Sequence, residues 1–130
     1  TMRRFEKESR WLHKFIVEIA SGKSIPELEK SASTRPDLSK ADDLERRFNL
    51  IFGFVYFKKN QLNKAEQYYR QALRSAEDRD KYTAYKYLVD IYMKQTTEPA
   101  RVKQLLDDID DLENDRLTFR AKDLERKYNL

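Results

Sequence analysis

The chain has 130 residues and a mass of 15.7 kDa, which fits one domain and leaves little room for a second. Charged residues make up 38% and hydrophobic ones 39%, with only 2 Gly and 3 Pro, so a fold of many tight turns such as a β-sandwich is disfavoured against a few long helices. No Cys occurs, which excludes disulfides, thiolate metal sites and cysteine nucleophiles, while 7 Phe, 8 Tyr and 1 Trp argue against disorder despite a mean hydropathy of -0.94.

Arg3 to Ala20 places Phe5, Leu12, Phe15, Ile16 and Ile19 at helical steps beside Trp11, which predicts an amphipathic helix stopped by Ser21-Gly22. Ser24-Ile25-Pro26-Glu27 reads as a capping box with Pro at the first helical position, opening a short helix over 26–31. Residues 31–36 read as the loop of the chain and the place for a hinge. A long helix over 39–59 follows, with Ser39 as its N-cap and Asp42 and Asp43 in its first turns. Its apolar residues face nearly every direction, which predicts burial between neighbours.

Asn60-Gln61 turns the chain into a helix over 62–76. A break is expected at Asp78 to Asp80, then helices over 81–94 and from 96–99 to about 112, and a terminal helix over 114–128. The longest apolar run, Leu50 to Phe57, is interrupted by Gly53 and is too short to span a bilayer. The first residues lack the apolar stretch of a secretory signal, so a reducing, cytoplasmic setting is expected.

Phe52, Gly53, Tyr56, Ala65, Tyr69 and Ala72 form a pattern of large, small, aromatic, small, aromatic and small residues without insertion. That pattern resembles the tetratricopeptide repeat (TPR) family over 46–79. A degenerate second copy over 80–112 offers Tyr85, Leu88 and Tyr92, with Val89 at a small-residue place. The resemblance implies an all-α, TPR-like array of antiparallel helix hairpins with six or seven helices. Residues 1–38 then form an N-terminal helix and linker on the array, 39–112 two repeats, and 113–130 a capping helix, all in one domain. Two repeats fall short of the usual three, so the N-terminal helix is expected in place of another repeat, or the chain to be part of a longer one.

The family's members are typically scaffolds that hold a partner peptide on the concave face lined by the first helix of each repeat. Carried onto this sequence, that face presents Arg47, Leu50, Ile51, Phe54, Phe57 and Lys58 from the first copy. The second copy supplies Thr83, Lys86, Tyr87, Asp90, Met93 and Lys94. The subfamily that grips a chaperone's C-terminal carboxylate needs Lys and Asn where this chain has Leu50 and Phe54, so a carboxylate clamp is rejected. A mixed apolar and basic face favours an acidic-apolar helix as ligand. The bland alternative is that the N-terminal helix covers Leu50, Phe54 and Phe57 as plain core. Exchange of that helix between chains through Trp11 and Phe15 makes a homodimer a further option.

Catalysis finds little support: His13 is the only histidine, with Ser9 as its one nearby hydroxyl, and no phosphate-binding, zincin or serine-elbow motif occurs. No cofactor or metal is expected. The acidic cluster from Asp107 to Asp115 lacks the order and the glycine of a calcium loop. The competing class is single-stranded nucleic acid or RNA on Arg3, Arg4, Lys7, Arg10 and Lys14 around Trp11 and His13, weakened by Glu6, Glu8 and Glu18.

Overall fold

The structure, a computed structural model, describes residues 5–74, 78–95, 100, 102–104 and 126. Five helices are bounded: α1 Glu6–Ala20, α2 Ile25–Ser33, α3 Asp42–Lys58, α4 Leu62–Ala72 and α5 Asp78–Gln95. Ala100 and Val102 to Gln104 are also helical, and no strand occurs among the described residues, so the chain is an all-α array. The helices expected beyond 104 lie outside the described residues.

Local chemistry sets each bend. Gly22, at φ +85, donates its N–H to the Ile19 carbonyl, and Lys23 donates to Glu18 at 3.3 Å, which together form a Schellman stop after α1. Ser24 caps α2 by accepting the Glu27 N–H at 3.4 Å, and its hydroxyl donates to the Glu27 carboxylate at 3.0 Å. Pro26 is the second helical residue and not the first, and α2 runs on to Ser33, so the expected loop begins later, at Thr34. Asn60, at φ +60, repeats the Schellman stop after α3, with Asn60 N–H on Phe57 and Gln61 N–H on Tyr56.

Three expected boundaries shift. Ser39 does not cap α3, because the helix starts only at Asp42 behind Ala41; Ser39 lies in the turn before it, donating its N–H to the Asp37 side chain at 2.9 Å. Residues 34–41 form no free hinge either, since Leu38 and Ala41 are buried and Arg35 lies 4.8 Å over the Phe48 ring. Helix α4 ends at Ala72 and not at 76, with Arg74 N–H tightened onto Gln71. Asp78 to Asp80 is no break: it is the first turn of α5, where Asp80 suits the helix dipole and pairs with Arg46 of α3.

Helices α1, α3 and α5 run the same way. Trp11 and Phe15 of α1 meet Phe48, and Phe15 meets Phe52 edge-on at 5.3 Å. At the α3–α5 seam the order is again parallel: Arg46 meets Asp80, Phe54 meets Tyr87, and Lys94 stands over Phe57. Helix α4 runs against α5, as Asn63 meets Gln95 and Arg70 meets Tyr92. Close approach of α3 and α4 centres on Gly53, where a Cβ would stand 3.2 Å from the Tyr69 ring and 3.3 Å from the Tyr68 Cβ. Ala65, Tyr69 and Ala72 are buried on the α4 side of that seam, with Phe52 and Tyr56 on the α3 side. The α2 helix joins the array through Glu29, whose Oε2 accepts from Tyr56 at 2.8 Å and Lys64 at 2.9 Å.

Candidate functional site

The parallel helices line a shallow cavity of about 280 Å³. Ile19 comes from α1, Leu50, Ile51, Phe54 and Val55 from α3, Thr83 and Tyr87 from α5, and Tyr69 rises from α4 behind them. Tyr87 is the hub: its ring stacks on Tyr69 at 5.0 Å with a 5° tilt and takes Phe54 and Phe57 edge-on at 5.7 and 5.2 Å. Aromatic edges meeting a ring face in this way add a modest gain to their burial. The Tyr69 hydroxyl is buried without a hydrogen-bond partner among the described residues, and burial first, then Tyr87, pushes its pKa well above the ordinary phenol value.

Phe54 is 38% exposed and Met93 40%, two of the three large apolar side chains that stand out of the surface among the described residues. The N-terminal helix therefore does not cover Phe54 as plain core; only Ile19 of α1 reaches this cavity. Lys58 Nζ stands 5.5 Å over the Phe54 ring and Lys94 Nζ 4.5 Å over the Phe57 ring. Neither lysine makes an ion pair with a described residue, nor do Arg47 and Lys86. Some cations elsewhere are matched, Arg10 with Glu6, Lys23 with Glu18, Lys64 with Glu29 and Arg70 with Glu66, so what sets Lys58 and Lys94 apart is their place over the aromatic rings and not the lack of an ion pair alone.

Of the residues singled out by the sequence, Leu50, Ile51, Phe54, Thr83 and Tyr87 line the cavity, and Phe57, Lys58 and Lys94 are joined to its aromatic wall. Arg47, Lys86, Asp90 and Met93 do not line it. Ile19, Val55 and Tyr69 were not expected as lining. Ile19 belongs to the apolar stripe of α1, and that periodicity was the one signal for it.

Phe15 is 1% exposed, stacked on Trp11 at 5.1 Å and packed against Phe48 and Phe52 within its own chain, so it offers no surface to a second copy docked side by side, and an exchanged helix would bury it in the same contacts. Trp11 is half-buried in the same cluster, 5.7 Å from Phe48, and its stacked face is occupied by Phe15. Around it Arg10 is matched to Glu6, and the surface depression beside Trp11 mixes Glu6, Lys7, Glu8 and Lys14. Arg3 and Arg4 lie outside the described residues.

Among the described residues no three His, Asp or Glu side chains converge as a metal cluster, and no helix is long and apolar enough to cross a membrane. Comparison with protein-family models, with curated proteins and with solved structures finds no match to the chain.

Proposed function

We propose that the chain is a TPR-like, non-enzymatic interaction module that holds an acidic-apolar helix of a partner protein in the concave groove formed by α1, α3 and α5. The observation that carries this reading is the exposed Phe54 beside an aromatic-walled cavity, flanked by two lysines with no described carboxylate partner. An amphipathic helix laid into such a groove buries apolar side chains on Leu50, Phe54 and Tyr87 and brings carboxylates to the lysines. Met93 adds an adaptable, unbranched contact at the same end. The repeat reading is supported by the small residues Gly53, Ala65 and Ala72 at the tightest helix approaches.

The module works without cofactor or metal and resides in the cytoplasm in this reading. Single-stranded nucleic acid is the weaker proposal, because the stacking face of Trp11 is already occupied. The test is titration of the chain with a synthetic amphipathic helix bearing a leucine stripe and glutamates. Micromolar binding that Phe54→Glu abolishes supports the reading; equal binding by the variant, or a preference for oligonucleotide, defeats it.

A further inference from the structure

Lys58 occupies the last turn of α3 and Lys94 the last turn of α5, and because these helices run parallel both charges lie at one end of the groove. At the opposite end of the same seam carboxylates offset the cations: Arg46 is held between Asp43 at 2.8 Å and Asp80, and Arg47 stands exposed beside them. At the lysine end neither amino group meets a described carboxylate; each rests over an aromatic ring of the groove wall. Asp90, one turn before Lys94 on α5, is the acidic neighbour on that helix, and Glu18 at the end of α1 is matched to Lys23. The groove is thus apolar along its length and electrostatically uneven from end to end. A lysine resting on a ring keeps its charge and its three donors and gives up little to turn toward a carboxylate.

We infer that the groove orients its ligand: it takes a foreign amphipathic helix with the acidic end at Lys58 and Lys94, whatever the direction of the ligand's chain. This rests on the groove-binding reading above and adds polarity to it. The apolar contacts on Leu50, Phe54 and Tyr87 fix the groove but not the direction, since a leucine stripe packs equally well when reversed. Charge placement breaks that degeneracy, because matched charges favour one register and mismatched ones oppose the other. Arg47 lies toward the other end of α3, exposed, and serves as the internal control.

The test uses the full chain and two synthetic helices of about four turns. They share a leucine stripe and net charge, but one groups its glutamates at the amino end and the other at the carboxyl end. Each carries a nitroxide at its acidic end, and amide spectra of the protein report which residues are broadened. Both peptides are expected to bind and to broaden the amides around Lys58 and Lys94. Lys58→Glu with Lys94→Glu should weaken binding by about tenfold and abolish that pattern, whereas Arg47→Glu should change affinity by less than about twofold. The variant sites are exposed, and an unchanged circular dichroism spectrum certifies the fold. Broadening near Lys58 and Lys94 by one peptide but at the other end of the groove by the second, or equal losses from Arg47→Glu, overturns the orientation while leaving groove binding intact. Binding unaffected by Phe54→Glu overturns the underlying reading instead. Self-association of the free chain that Phe54→Glu removes replaces the foreign helix by a second copy and overturns the inference.

Discussion

The α1–α2 and α3–α4 hairpins turn on the same device, a left-handed residue at Gly22 in one and Asn60 in the other, yet their bodies are held differently. In α3–α4 the helices close on themselves: Gly53 lets the Tyr69 ring and Tyr68 Cβ approach, and Ala65 and Ala72 are buried. Helix α1 has no glycine within it, and its large residues look outward to α3, where Trp11 and Phe15 meet Phe48. Helix α2 is likewise tied to its neighbours, through Glu29 on Tyr56 and Lys64. The second hairpin is closed mainly on itself, whereas the first is held mainly by its contacts with the second. A small residue at a helix crossing lets two helices approach within one hairpin, and the large outward-facing aromatics of α1 need a neighbour to stack against.

The largest expected effect comes from Phe48→Ala, which removes the ring that Trp11, Phe15, Phe52 and Tyr68 share. A loss of about 3–5 kcal/mol is expected in urea unfolding. Trp11, the only tryptophan, should shift its emission to the red, since its half-buried ring gains water. An unchanged emission maximum would break the comparison, because α1 would then not depend on α3. Next in size, Gly53→Leu should cost about 1–3 kcal/mol by overfilling the α3–α4 seam, with Trp11 emission of the folded state unchanged.

Alkaline pH should act on the tyrosine-rich side of the comparison. Tyr56, Tyr68, Tyr69 and Tyr92 are all pushed up, first of all by burial, so their neutral forms are favoured in the folded state. A raised folded pKa gives stability that is complete below the unfolded value of about 10 and is lost as pH rises beyond it. Thermal melts should therefore fall in Tm above that pH, and a flat profile would deny the burial of these hydroxyls.

The smallest effect is reserved for Glu29→Gln. Hydrogen bonds from Lys64 and then Tyr56 hold the Glu29 carboxyl below its ordinary 4.5, so its contribution is present above that value and fades as pH falls through the lowered one. The glutamine variant should melt slightly earlier than the parent at neutral pH and converge with it in acid. A constant gap at all pH values would assign the effect to shape and not to charge.

Much of the fold was legible because the signals were local. Gly22 and Ser24 mark the first bend in the sequence, and the run from Phe52 to Ala72 announces the self-closing hairpin. The misplaced boundaries at Ser39 and Asp78 share one cause: an aspartate can cap, turn or open a helix, and the choice depends on its partner. Asp37 captures the Ser39 N–H, and Asp80 reaches Arg46 across the seam. Phe54 and Tyr87 were readable as groove residues from the repeat pattern. That Phe15 is covered by its own chain was not, because periodicity gives the apolar face of a helix without saying what lies on it. The Glu29 bracket also escaped, joining residues 27 and 35 positions apart that no short-range pattern connects.

Lysines parked on rings have a kinetic consequence. A cation matched to a carboxylate is nearly invisible a few ångströms away, whereas Lys58 over Phe54 and Lys94 over Phe57 leave their fields in the solvent. At physiological salt that field reaches about 8 Å, enough to bias the last moments of an encounter. The affinity of this face should therefore be divided by mechanism. If the proposed groove binding holds, adding salt should slow the arrival of an acidic helix, while its residence time, set in that reading by apolar contacts with Phe54 and Tyr87, should stay nearly constant.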